Sequence, residues 1–144
     1  MAVTARMYSR FLLNLCNDVL PDLDATGTTI KCALLTSGYT PAQNTHDAWS
    51  DVSAYEVSGT GYTAGGAALT GKVLSINNNV ISFDANDVTW SSSTITARYA
   101  VVYEVSSGKL ILYVDFGENK SSSDGDFTIQ WNAAGIFSLT AAAS

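Results

Sequence analysis

Charged side chains are scarce in this chain. Lysine and arginine together number 7 and aspartate and glutamate 13, so the charged fraction is 14%, against roughly 25% in average proteins. The net charge is −6 and no basic cluster is present, which leaves few cations to neutralise phosphates as nonspecific nucleic-acid binding requires. We therefore expect no nucleic-acid partner and no attraction to an anionic membrane.

Cysteine and histidine are almost missing. The two cysteines, Cys16 and Cys32, lie beside apolar residues, so we expect two buried thiols and no disulfide framework. His46 is the single histidine, which excludes a metal centre built from several imidazoles, and we interpret it as a polar loop residue. No Gly-x-Ser-x-Gly nucleophile motif accompanies it. We expect no catalytic residue, no metal and no cofactor.

Long apolar runs are missing as well. No stretch approaches the ~20 residues that a membrane-spanning helix needs. Arg6 and Arg10 precede an apolar run in the manner of a signal peptide, but the run stops at Asn14 and no small-residue cleavage site follows. We expect a protein that folds in a cytoplasm, without a membrane partner.

The length and the polar composition favour one compact unit. A chain of 144 residues is predicted to form a single domain, 1–144, and at this size folding buries about 68–70% of the unfolded surface. Serine (17 residues) and threonine (15 residues) take the place of the missing charges. A surface rich in hydroxyl groups suits β-structure and packed assemblies.

Residues 5–20 are predicted to form an amphipathic helix. Apolar side chains recur at one-turn spacing; they are Met7, Tyr8, Phe11, Leu12, Leu15, Cys16 and Val19. Pro21 is expected to end the helix, because the residue before a proline avoids the α conformation. Met7, Tyr8, Phe11 and Leu15 are candidate interface residues, which would form an interface if they are exposed and core if they are buried.

Residues 28–140 are predicted to form β-structure. Asn77-Asn78-Asn79 separates two apolar runs, and asparagine tolerates positive φ, so this segment predicts a hairpin. Turns recur at about ten-residue spacing, which is typical of a β-sandwich or a partly closed barrel. We predict antiparallel strands with a single N-terminal helix. The predicted strands cover 28–36, 73–76, 80–83, 87–90, 94–105, 109–116, 127–131 and 136–140.

A glycine-rich segment, 55–66, carries two motif spacings that point to nucleotides. Gly59-x-Gly61-x-x-Ala64 matches a dinucleotide fingerprint, but Gly65 and Gly66 follow where a helix must begin. The run 66–72 matches a P-loop as far as Lys72, but the next residue is valine and not the serine or threonine that binds magnesium. The sequence therefore argues against a phosphate site.

The glycine-rich segment is instead interpreted as a shaped loop. Glycine permits positive φ and a close approach of two backbones, and the approached neighbour is either the same chain or another subunit. The candidate interface residues in the segment are Gly59, Gly61, Tyr62, Gly65 and Gly66.

Two oxygen-rich segments and several aromatic residues leave alternatives open. Residues 84–87 and 124–126 are rich in Asp and Asn, which favours turns over calcium binding because neither matches a calcium loop. Tyr99, Tyr103 and Trp131 occupy strand positions and are expected in the core or at an interface. Exposed aromatic rings could also stack on sugars.

Six segments together form a recognisable pattern, which extends over about residues 8–140. They are Ile30–Pro41, Glu56–Leu69, Asp87–Trp90, Thr96–Tyr103, Val114–Gly117 and Phe127–Trp131. This pattern resembles the small β-rich structural proteins in the virions of tailed bacteriophages.

The resemblance implies a capsid decoration, or cement, protein. Such a protein would be made in the cytoplasm of a bacterial host and would bridge capsomers on the outer surface of the head. Its partners would be the major capsid protein and copies of itself in a homo-oligomer, for which we expect a trimer. An acidic chain is repelled by packaged DNA, and a stable contact buries on the order of 1,200–2,000 Å². Similar sequences occur near tail and fibre genes, so the alternative is a tail fibre or adhesin module that binds host-surface glycans.

Overall fold

The computed structural model describes residues 3–141 and shows a mainly β protein. Antiparallel sheets form a sandwich-like arrangement with one helix among these residues, so the predicted fold class is confirmed, without a closed barrel in the described part. The elements are β1 (Thr4–Met7), α1 (Ser9–Cys16), β2 (Ile30–Leu35), β3 (Ala67–Ala68), β4 (Val73–Asn77), β5 (Val80–Asp84), β6 (Val88–Ser93), β7 (Thr96–Glu104), β8 (Leu110–Ser121), β9 (Gly125–Ile129) and β10 (Phe137–Thr140). Two 3-10 turns cover Trp49–Asp51 and Ser53–Tyr55.

The strands of residues 3–141 form three sheets. The largest has the order β1-β8-β7-β2-β3, a second has the order β10-β5-β4, and β6 pairs with β9. All of these pairs are antiparallel. Every residue from Tyr99 to Glu104 in β7 is buried, so this central strand is covered on both faces.

The asparagine hairpin is confirmed. Asn77 pairs with Val80 across the end of β4 and β5, and Asn78 and Asn79 have φ values of 49° and 68°. Two successive residues with positive φ are typical of the type I′ turn that joins strands with a two-residue loop.

The predicted helix over 5–20 is wrong at both ends. Residues 4–7 form β1, which pairs with β8 from Thr4–Asp115 to Met7–Leu112. At the other end Asp18 adopts a φ of 56°, and the N–H of Val19 donates to the carbonyl oxygen of Asn14 at 3.0 Å. This is a left-handed cap of the Schellman type, so the helix ends before Pro21 is reached.

The helix lies between two sheets. The Tyr8 ring is 5.3 Å from the Tyr113 ring of β8, and the Phe11 ring is 5.2 Å from the Phe137 ring of β10. Phe137 in turn stacks on Phe83 of β5 at 5.4 Å. These aromatic contacts fix α1 in one orientation and decide which of its side chains face outward.

Candidate functional site

The outer face of α1 and the adjoining cap is the most apolar exposed surface near the N-terminal end. Tyr8 and Phe11 are fully buried, so their side chains belong to the core and not to an exposed interface. Met7 is half-buried, and Leu15 remains 36% exposed. The exposed apolar side chains here, which we call the α1 face, are Leu12 (40%), Leu13 (44%), Leu15 (36%) and Val19 (42%).

The two cysteines have different environments. Cys32 is buried in β2 as predicted, and burial raises the pKa of its thiol to about 12, so the thiol stays protonated. Cys16 is exposed at the end of α1, so the prediction of two buried thiols is wrong for this residue. Leu15, the apolar residue before Cys16, is itself partly exposed. An apolar neighbour in sequence therefore does not show that a cysteine is buried.

Behind the α1 face, a row of hydrogen bonds holds the helix to the connection before the first 3-10 turn. The hydroxyl groups of Tyr8 and Tyr39 are 2.7 Å apart, and the Tyr39 hydroxyl is 3.0 Å from Nδ1 of His46. Burial raises the pKa of Tyr8 far above its usual range, with the Tyr39 hydrogen bond adding to it, and burial raises the pKa of Tyr39 to about 12. Both hydroxyl groups therefore stay neutral, and these hydrogen bonds position the helix.

A buried asparagine ties the helix to a second, charged group. Asn14 donates from Nδ2 to Oδ1 of Asp47 at 2.8 Å, and Nζ of Lys109 donates to Oδ2 of the same carboxylate at 2.6 Å. Burial opposes ionisation of Asp47, but the hydrogen bonds from Lys109 and Asn14 outweigh it and lower its pKa. The helical spacing of residues 5–20 gives no sign of this contact, because Asp47 is 33 residues away in sequence.

The glycine-rich segment packs against strands of its own chain. Gly66 has a φ of +84°, and a Cβ there would overlap the carbonyl oxygen of Cys32 in β2. Gly61 has a φ of +80°, and a Cβ there would lie 2.8 Å from Cα of Ser93 in β6. Both positions therefore require glycine for conformation and for space.

Hydrogen bonds from side chains within the segment and from β7 hold the glycine-rich segment in place. Oε1 of Glu56 accepts hydrogen bonds from the Tyr62 hydroxyl at 2.7 Å and the Gly65 N–H at 2.6 Å. The hydroxyl group of Tyr103 in β7 donates to the Gly65 carbonyl at 2.7 Å, and Trp49 stacks on Tyr103 at 4.5 Å. The segment is thus a fixed loop; Gly59 and Gly61 remain exposed on its outer side.

Two carboxylates of the oxygen-rich segment 84–87 accept hydrogen bonds from backbone N–H groups. Oδ1 of Asp84 accepts from the Ala85 N–H at 2.8 Å, and Oδ1 of Asp87 accepts from the Trp131 N–H at 3.0 Å. Within residues 3–141, no three Asp, Glu, His or Cys side chains come together in a way that could hold a metal ion.

A cleft of about 650 Å³ opens between the β1–β8 edge and the strand β9 with the connection after it. Its apolar lining includes Phe116, Phe127 and Trp131, and its polar rim includes Asp126 and Gln130. The indole N–H of Trp131 donates to the Asn86 carbonyl at 3.2 Å, which fixes the ring. Ligand pockets typically measure about 300–1,000 Å³. The cleft joins segments distant in sequence, so no local motif predicts it.

Comparison with protein-family models found no match, and comparisons with curated proteins and with solved structures found none either. No helix within residues 3–141 has both the length and the apolar character to cross a membrane. The proposal that follows therefore rests on the resemblance of the six sequence segments, with support from the arrangement of side chains.

Proposed function

We propose that this chain is a structural protein of a tailed-phage virion, a decoration protein that binds the major capsid protein on the outer surface of the head. The observation that supports this role is the α1 face, four partly exposed large apolar side chains on a helix and its C-terminal cap that are fixed from behind. The assembly proposed is a homo-oligomer, a trimer, whose subunits bridge neighbouring capsomers.

The chemistry of the α1 face suits a permanent contact. Residues 11–17 contain no charged side chain, and Asp18 is the single charged residue between the four side chains of the face, so docking would remove few ions from water. Burying one leucine fully contributes about 1.5–3 kcal/mol relative to full exposure, and each of these side chains still has roughly 40% of its surface to bury. Tyr8, Phe11 and Asn14 already hold the helix, so little additional conformational entropy is lost on binding.

The substitution Leu13→Asp tests the docking surface. We expect the variant to fold normally, because Leu13 is 44% exposed, and to bind capsids lacking the protein at least tenfold more weakly, because a carboxylate would be desolvated in an apolar contact. Cosedimentation with such capsids measures the binding, and thermal unfolding checks the fold.

Val73→Asp is the matched control, because Val73 is 52% exposed on β4, outside the α1 face, and its replacement should leave binding unchanged. If the parent and Leu13→Asp occupied the capsids equally, the α1 face would not be part of the contact. Electron cryo-microscopy that finds this chain only on the tail would reject the decoration role.

The Trp131 cleft supports a second candidate function, a module that binds host-surface glycans. A fixed indole ring beside carboxylate and amide groups offers both a stacking surface and hydrogen-bonding partners for a sugar. We expect Trp131→Ala to abolish any saccharide binding seen on a glycan array, while Trp49→Phe, distant from the cleft lining, preserves it. If the parent binds no saccharide at millimolar concentration, this candidate is excluded.

A further inference from the structure

Strand β4 is an open sheet edge without the usual protection. It is the outer strand of the β10-β5-β4 sheet, and no strand within residues 3–141 pairs with its far side. Natural edge strands are commonly blocked by charge, proline or a bulge, yet residues 73–83 contain neither a charged side chain nor a proline. Ile76 on this edge is 73% exposed, the largest exposed fraction among the large apolar side chains described.

The hairpin geometry fixes which backbone groups point outward. In a two-residue loop the closing residues, Asn77 and Val80, exchange hydrogen bonds, so alternate residues of β4 bond to β5. Leu74 and Ile76 therefore direct their N–H and C=O groups away from β5. The structure agrees, because the Leu74 N–H donates to Oδ2 of Asp24 at 3.0 Å. Asp24 covers that donor, and the Ile76 groups remain available.

An apolar row accompanies this edge. Leu74, Phe83 and Phe137 lie in register across the sheet and face the core. Two residues further along each strand, Ile76, Ile81 and Leu139 lie in register on the same face. Ile81 is 41% exposed and Leu139 is half-buried, so this second row extends past the core and ends at the open edge.

We propose that β4 pairs antiparallel with β4 of a second copy, about a two-fold axis at Ile76. In this register the N–H and C=O groups of each Ile76 bond to those of the other copy. The two rows of Ile76, Ile81 and Leu139 then join into one apolar stripe across a six-stranded sheet. The partner is a second copy because the edge is complementary to itself. Chains of net charge −6 repel one another, and residues 73–83 bring no charge of their own to the contact; the Asp24 carboxylate lies beside Leu74, two residues from the axis.

This pairing is small. One pair of isoleucines and a short ladder bury much less than the roughly 1,200 Å² of a stable interface. The link is therefore weak between free chains and strong between copies already held side by side, where the effective concentration reaches about millimolar. A two-fold contact joins copies in pairs, so it would add to a trimer as a link between neighbouring trimers. The inference does not depend on the capsid role.

Charge exchange at position 76 tests the register directly. We expect sedimentation velocity to show that the parent associates as its concentration rises to about millimolar. Ile76→Lys and Ile76→Glu should each weaken this association at least tenfold, because like charges then meet across the two-fold axis. An equimolar mixture of the two variants should associate again, because lysine then faces glutamate. Val73→Lys, on the same strand but with its backbone bonded to β5, should associate as the parent does.

Hydrogen exchange gives an independent readout. The Ile76 amide should become protected as the parent concentration rises, whereas the Ser75 amide, bonded to β5, should be protected throughout. A mixture of the Lys and Glu variants that fails to associate, or a Val73→Lys variant weakened equally, would overturn the proposed register. The parent could also keep one mass up to millimolar concentration while its Ile76 amide is protected only on capsids. That result would overturn self-pairing and would show that the β4 edge pairs with a different protein.

Discussion

Replacing Gly66 with alanine is expected to lower the free energy of unfolding by more than about 3 kcal/mol, or to prevent folding. The alanine would have to adopt a φ of +84°, and its Cβ would overlap the Cys32 carbonyl oxygen and lie 2.7 Å from Cα of Ala33. Neither backbone can move away cheaply, because Cys32 is paired with Val102 of β7 on one side and with Ala67 of β3 on the other. Chemical denaturation of the purified variant measures the loss.

Gly108→Ala separates backbone strain from close contact. Gly108 has a φ of +71°, but a Cβ there would meet nothing within 4 Å. Only the cost of the left-handed conformation remains, about 1–2 kcal/mol. If the two variants lose equal stability, the close approach at Cys32 is not what makes Gly66 necessary.

The features that sequence reasoning predicted correctly are local ones. The turn at Asn78 and Asn79 depends on the tolerance of asparagine for positive φ, which needs no information from the rest of the chain. The glycine-rich segment was rejected as a phosphate site because no helix follows it, and the structure instead places the two-residue strand β3 there. Which neighbour the glycines approach depends on β2 and β6, both distant in sequence, so the choice between own chain and another subunit stayed open.

The wrong start of the predicted helix over 5–20 shows how pairing with a distant strand overrides a periodic pattern. Met7 and Phe11 have helical spacing, but β8 offers an edge to which residues 4–7 bond as β1. A hydrogen-bonded ladder to a long strand outweighs the weak preference of four residues for helix. The same docking turns Tyr8 and Phe11 inward and leaves Leu12 and Leu13 outside. Hydrophobic spacing alone predicts an apolar face, but not which of two adjacent faces is covered.

The carboxylate of Glu104 is a buried group that no sequence motif indicated. It lies at the end of β7 with no exposed surface, and its two oxygens accept hydrogen bonds from the Ser106 N–H (2.7 Å), the Ser106 hydroxyl (2.8 and 2.9 Å) and the Ser107 N–H (2.9 Å). These bonds hold the β7–β8 turn.

Because hydrogen bonds to an ionised group contribute about 1.5–3 kcal/mol, we expect Glu104→Gln, which brings an amide donor towards these donors, to cost about 2–4 kcal/mol of stability.

The pH dependence of that loss identifies the charge as its cause. Burial raises the pKa of Glu104, but hydrogen bonds from Ser107 and Ser106 outweigh it and hold the folded pKa below the usual value. The stabilisation is therefore fully present above the unfolded pKa of about 4.3 and is lost as the pH falls through the lower folded pKa. The stabilities of the parent and of Glu104→Gln should differ by a constant amount from about pH 7 to 5 and should converge as the pH falls below the unfolded pKa and through the folded one. Glu118→Gln, in an exposed pair with Lys120, should show little change at any pH. A Glu104→Gln deficit that persists undiminished in acid would mean that lost packing, rather than the lost carboxylate charge, destabilises the turn.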